Sequence, residues 1–283
     1  MRTMNDQAKR LRQLVKEKSS GEHSAPTIEH QPEIITISSG KGGVGKSVLA
    51  VNLSFALREL NKKILLIDGN FGLFNLDILL GIQSNPKLEQ LLRGEIDFRE
   101  AIINVYPGID LICGGTEYRN LQKGNSSRFE KGLAFVTDIK RTSDYDFIII
   151  DTGSGVKQTV FSFADLSDQC IVLTTPELAA VTDTYALVKS LVYVGVASEV
   201  NLVVNMCHKE KEAVSTWKNL NKVLKHYVNY EINLLGYILE DSYISTSIKR
   251  QQPALMSEPN TSSGIAIKNL ARKLLNVKAS CQG

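Results

Sequence analysis

The sequence predicts an α/β fold: a doubly wound, mainly parallel sheet of about seven or eight strands flanked by helices, with a tethered helix at the N-terminus. Three observations predict it. Short, continuous β-branched or apolar runs recur along the chain, as strands buried on both faces require. Stretches of helical length separate most of them. A glycine-rich loop joins the first such run to the first such helix.

Taken in order, residues 1–18 place Met4, Ala8, Leu11 and Val15 at helical spacing, with Lys9, Arg10, Arg12 and Lys16 on the other faces, which predicts a short amphipathic helix. Residues 19–32, SSGEHSAPTIEHQP, are small, polar and proline-bearing and read as a flexible linker. The main domain is then 33–283. Its strands are expected at 34–38, 64–68, 109–113, 147–151, 170–175, 201–205 and 234–239, and helices at 47–60, 127–141, 180–193, 213–227 and 264–277. Ligands of such sheets gather at the carboxyl ends of the strands.

Composition narrows the class. With 283 residues and 43% hydrophobic content the chain can bury a sizeable core. Lys and Arg (33) nearly balance Asp and Glu (30), so there is no strong nucleic-acid signal. Cys113, Cys170, Cys207 and Cys281 lie far apart without a CxxC pair, which argues against a disulfide frame or zinc site, and Cys207–His208 has no further ligand nearby. No apolar run reaches about 18 residues and the N-terminus is polar, so a cytoplasmic protein is expected.

The chemistry sits in GKGGVGKS, Gly40 to Ser47, which satisfies G-x-x-x-x-G-K-[ST] between an expected strand and helix. Glycines let main-chain N–H groups converge on phosphate oxygens, and the helix adds its positive end. Gly40, Lys41, Gly42, Gly43, Val44, Gly45, Lys46, Ser47 and Val48 are the expected cradle, with Lys46 neutralising terminal phosphates and the Ser47 hydroxyl available to Mg2+. Asp68 and Asp151 end strands in ILLIDGN and FIIIDTGSGV; such carboxylates bind Mg2+ directly or through water. Asp151 is read as the main carboxylate, and Asp68 as a water-mediated or switch group.

Lys41, a second lysine within the loop, resembles the deviant phosphate loop of the MinD/ParA family of dimerising ATPases. The resemblance implies ATP and Mg2+ as cofactors, a homodimer in the ATP state, and Lys41 reaching the partner's phosphates. DGNFGLFNLDILLG, from Asp68, and LTTPELAAVTDTYALVKSL, from Leu173, are similar to the FlhG-type flagellar regulators within that family. Their pattern implies that Asn70 stands where an aspartate positions the attacking water. An amide orients water but accepts no proton, so slow hydrolysis is expected, with Lys41, Lys46 and Asn70 as the catalytic set.

The same resemblance implies that Asn205 reads the adenine edge and that Glu240 and Asp241, in YILED, lie at the base, although Leu239 stands where relatives often carry proline. DQAKRLR matches an FlhG segment that docks on the FlhF-type GTPase, which implies partner contacts from Asp6, Gln7, Ala8, Leu11 and Arg12. A flagellar transcription regulator or switch-complex protein is a further implied partner. MinD and many FlhG proteins continue into a membrane-targeting helix, whereas this chain stops at LLNVKASCQG. Membrane contact at the inner membrane or cell pole is therefore left open, and 264–277 is expected to pack on the sheet. Two other readings stand beside the flagellar ATPase: a hydrolysis-poor scaffold or antiactivator, and a DNA-partition ATPase. An iron–sulfur carrier of this fold would need paired cysteines that the chain lacks.

Overall fold

The computed structural model describes residues 31–70, 76–83, 87–114, 133–196 and 198–281, with side chains to 276. The expected partner helix 1–18 and nearly all of the linker lie outside them. Eight strands form one sheet: β1 Glu33–Ser39, β2 Ile64–Gly69, β3 Ile102–Tyr106, β4 Ile109–Ile112, β5 Phe147–Ser154, β6 Gln169–Thr174, β7 Glu199–Cys207 and β8 Asn233–Leu239. Their spatial order is β3-β4-β2-β5-β1-β6-β7-β8. Every pairing is parallel except that of β3 with β4.

All seven expected strands are present. The eighth, β3, is a half-buried antiparallel edge strand that turns at Pro107–Gly108 into β4. Its residues IINVY directly follow a one-turn helix, so neither alternation nor length marks it out.

The helices are α1 Lys46–Glu59, α2 Leu76–Leu80, α3 Leu88–Arg93, α4 Phe98–Ala101, α5 Ala134–Thr142, α6 Gln158–Leu166, α7 Leu178–Val194, α8 Glu210–Val228, α9 Ser242–Lys249, α10 Ala254–Ser257 and α11 Ser262–Cys281. The expected helix at 127–141 is observed from Ala134, with Leu133 as its N-cap and residues 127–132 outside the described set. Alternation along the strands assigns the two layers. Ile35 and Ile37 of β1, Ile64 and Leu66 of β2 and Ile149 of β5 pack with α1 and α11, while Ile34, Leu65, Ile67, Ile148 and Ile150 face α3 to α6. A third cluster joins Cys170, Val172, Leu202 and Val204 to α6, α7 and α8. Both faces of the central strands are thus dry, which is why they read as unbroken apolar runs.

Helix α11 resolves the C-terminal ambiguity in favour of packing. Ile267, Leu270 and Leu274 are buried in the core shared with α1 and β8, and Leu275 packs against it. Outside this stripe Lys268 pairs with Glu59, and Lys273 Nζ donates to the Leu235 carbonyl. The apolar stripe is therefore spent inside the domain.

The order in which strands are laid down switches sides at β1, since β2 and β5 lie on one side of it and β6, β7 and β8 on the other, all parallel to it. In open α/β sheets ligand sites lie beyond the carboxyl ends of the strands at such a switch point.

Candidate functional site

Residues 40–45 connect the buried end of β1 to α1. Gly43 and Gly45 have φ of 81° and 96°, left-handed values that carry little strain only in glycine. Gly45 is the N-cap of α1, and no side chain caps that end. The first amides of the helix are therefore not satisfied by a cap, as a phosphate cradle requires. Gly40 is fixed by sterics: a Cβ there would lie 2.2 Å from the main-chain carbon of Asp183 in α7.

Lys46 is buried at the start of α1. Burial lowers its pKa, Asp151 opposes that shift, and Lys157 adds to it. Asp151 and Asp68 are direct cross-strand partners between β5 and β2, and Ile37 of β1 pairs with Asp151 on the other side. Asp68 is buried and accepts from the Asn70 main-chain N–H at 3.1 Å. Asp151 is fully buried, and neither of its carboxylate oxygens has a hydrogen-bond partner. Burial pushes its pKa up to about 6, offset in part by the neighbouring Ser47 hydroxyl and Lys46 ammonium.

An unpartnered buried carboxylate beside a hydroxyl and a phosphate cradle fits a Mg2+ site, because Mg2+ bound with nucleotide needs only one or two carboxylates and keeps phosphate and water as its other ligands. Among the described residues no group of three or more His, Cys, Asp or Glu gathers to hold a metal ion on protein ligands alone. The donor set therefore suits a cation that arrives with a triphosphate better than a resident metal.

The segment after Asp151 is tied to the loop. The Gly155 N–H donates to the Ser39 carbonyl at 2.9 Å, and Ser38 and Thr152 share a buried hydroxyl pair at 3.0 Å. Asn70 faces this segment, its Oδ1 lying 3.3 Å from where a Cβ on Gly153 would stand.

Lys41 pairs with Glu177 at 2.8 Å. Beside that pair opens a cavity of about 430 Å³ lined by Lys41 to Val44, Thr175 to Glu177, Met206, His208 and Glu240. The His208 Nδ1 lies 3.1 Å from a Glu240 carboxylate oxygen at its rim.

Among the described residues, the loop 40–48 lies with Asp68, Asn70 and Asp151 at the carboxyl end of the sheet, while Asp6, Gln7, Ala8, Leu11 and Arg12 lie outside them; two further expected residues are engaged elsewhere. Asn205 sits against the loop, but its Nδ2 donates to the Val44 carbonyl at 2.8 Å and so braces the cradle. Asp241 caps α9 through the Tyr243 N–H and accepts from Ser263 Oγ at 2.7 Å, so its carboxylate clasps two helices and does not line the cavity. Sequence reasoning missed Lys157, Glu177, Met206 and His208. Lys157, Glu177 and His208 follow the carboxyl ends of β5, β6 and β7, the one signal that marked them, and Met206 lies in the last residues of β7.

A family model described as NUBPL iron-transfer P-loop NTPase, of the ParA type, matches residues 30–275. The flagellum site-determining protein YlxH of Helicobacter pylori is 32% identical over 276 residues, covering 96% of this chain and 91% of that protein. The antiactivator FleN of Pseudomonas aeruginosa is 25% identical over 245 residues, 87% of each chain. Among solved structures, the septum site-determining protein MinD of Pyrococcus horikoshii, complexed with Mg-ADP, superposes with a TM-score of 0.70 at 25% identity, covering 87% of this chain and 97% of that one. With its phosphate loop, paired strand-end carboxylates and sheet order, the chain belongs to the ParA/MinD family of P-loop NTPases, a nucleotide-binding ATPase family that includes the FlhG-type flagellar regulators.

Proposed function

We propose that the protein is an ATP-dependent dimerising switch of the FlhG type, which regulates flagellar number and placement and activates an FlhF-type GTPase through residues 6–12. The observation that carries this reading is the likeness to YlxH over 96% of the chain, a span that must include much of the segment ahead of β1. YlxH is a flagellum site-determining protein and FleN an antiactivator.

Main-chain amides of 40–47 bind the phosphates, Lys46 neutralises them, and Ser47, Asp151 and Asp68 hold Mg2+ directly or through water. The cation, when bound, screens charge that develops on the phosphates. Lys41 must leave Glu177 before it can reach a second subunit's nucleotide, so ATP and dimerisation compete with a 2.8 Å ion pair. That pair is substantially exposed, which makes it weak and easily exchanged.

Asn70 supports slow turnover. Its amide can orient a water but cannot take the water's proton, so the ATP state persists. The same observation favours a second reading, in which the nucleotide-locked dimer acts chiefly as a scaffold or antiactivator. A DNA-partition role has less support, because Lys+Arg 33 and Asp+Glu 30 nearly cancel.

The test is GTP turnover by the cognate FlhF-type GTPase with the full chain and with Leu11→Ala and Arg12→Ala variants. Stimulation lost in both variants is expected. No stimulation by the unaltered chain would remove the GTPase partner.

A further inference from the structure

The turn that follows Asp151 ends in a cation, Lys157, with no counter-ion among the described residues. Gly155 has φ of 85°, its N–H donates to the Ser39 carbonyl at 2.9 Å, and a Cβ on it would stand 3.8 Å from the Gly40 carbonyl oxygen. The Ser154 hydroxyl lies 3.6 Å from where a Cβ on Gly42 would stand. Residues 154 and 155 are thus pressed against the phosphate loop. Two residues further on, Lys157 is the N-cap of α6 in extended backbone, and its carbonyl accepts from the Val160 and Phe161 N–H groups at 3.1 and 3.2 Å. The backbone is held while the residue is exposed.

Its electrostatic surroundings are unfavourable. Lys157 and the buried Lys46 repel each other. A cation at the start of a helix also opposes the helix dipole, and no side chain caps α6 there. Lys41, by contrast, is paired with Glu177. Placing Lys157 beside Lys46 costs the fold stability, and an anion shared by the two ammonium groups relieves that cost.

Which anion it is follows from position. The cavity beside Lys41 and Glu177 is lined by none of residues 151–157. Lys157 therefore stands apart from that cavity, at the end of the site that holds Lys46 and Asp151, where the terminal phosphates and Mg2+ belong. The charge that distinguishes a triphosphate from a diphosphate arrives at this end. We infer that Lys157 is a third phosphate-binding cation, directed at the terminal phosphate, and that it sets the protein's preference for ATP over ADP. A lysine suits this task because its ammonium is a point charge on a flexible stem, free to swing to an arriving oxygen. The inference rests on the nucleotide-binding reading above.

Calorimetric titration of Mg2+-ATP and of Mg2+-ADP tests it, with Lys157→Ala and Lys157→Arg made in the full chain and again in a Lys41→Ala background, which keeps ATP from pairing subunits. In both backgrounds Lys157→Ala is expected to weaken ATP about three- to tenfold and ADP by no more than about twofold, while Lys157→Arg keeps most of the ATP affinity. Without nucleotide, Lys157→Ala should unfold at a higher Tm, since two repulsions are relieved. An unchanged ratio of ATP to ADP affinity in Lys157→Ala would overturn the assignment, whether neither affinity fell or both fell equally. So would a loss that Lys157→Arg shares in full, a loss confined to the background that retains Lys41, or a lowered Tm, since each gives the side chain a role other than a charge held for the terminal phosphate. An unaltered chain that binds neither nucleotide would instead remove the nucleotide-binding reading itself, and this inference with it.

Discussion

Replacing Asp151 by asparagine should make the ligand-free protein more stable at neutral pH while abolishing its response to Mg2+-ATP. The Asp151 carboxyl is fully buried without a hydrogen-bond partner, and its pKa stands at about 6 against an ordinary 3.8. A carboxyl raised in the folded state binds its proton more tightly there than in the unfolded chain. Its contribution is therefore present below about pH 4, falls as pH rises toward about 6, and above that leaves the fold carrying the full cost of a buried charge. The gap corresponds to about 3 kcal/mol. An asparagine keeps part of that cost, because its amide is also buried with few partners, at roughly 1–2 kcal/mol. The net gain expected at pH 7.5 is about 1–2 kcal/mol, or roughly 2–8 °C in Tm for a domain of this size. Thermal unfolding at pH 5 and pH 7.5, with and without Mg2+-ATP, reads all of this. Asp151→Asn should gain more at pH 7.5 than at pH 5 and lose most of the ligand-induced shift. A variant less stable than the parent at pH 7.5, or one keeping the parent's Mg2+-ATP shift, would refute the reasoning.

Other positions give equally direct outcomes. Asn70→Asp should speed steady-state phosphate release by about tenfold or more, since it supplies a group able to accept a proton from water; no acceleration would show that the position does not limit turnover. Gly40→Ala should cost about 1–3 kcal/mol in unfolding free energy and weaken nucleotide binding, because its Cβ would meet the Asp183 main chain at 2.2 Å. Glu177→Gln removes the ionic partner of Lys41 and should lower the ATP concentration needed for dimerisation, which sedimentation would register. Lys41→Ala should leave ATP binding to the single subunit within about tenfold of the parent while suppressing the dimer, because in the proposed arrangement Lys46 would neutralise the phosphates from within.

Much of this architecture was legible because the central strands are dry on both faces, so IITIS, ILLID and FIIID could scarcely be anything else. Asp68 and Asp151 followed from their positions at the ends of those runs, and the register puts them side by side. Strand β3 was not legible: an edge strand of five half-buried residues has too little pattern. Helix α6 was missed for another reason, since Val160, Phe161, Phe163 and Ala164 are all buried and its apolar residues show no single stripe. Within the site, chain order says nothing about which carboxylate a neighbouring helix claims, so Asp241 read like Glu240 until its bonds to Tyr243 and Ser263 were seen. The irregular end of β7, whose register against β8 shifts between Val204 and Cys207, left no mark either. NLVVNMC contains neither Gly nor Pro, and the distortion belongs to the pairing with β8.

Sedimentation of the protein titrated with ATP in the presence and absence of Mg2+ tests the central claim most directly. A Mg2+-dependent doubling of mass as ATP saturates is the result this account requires. A chain that binds ATP yet stays a single subunit at saturation would contradict the shared-nucleotide role of Lys41 and the switch built upon it.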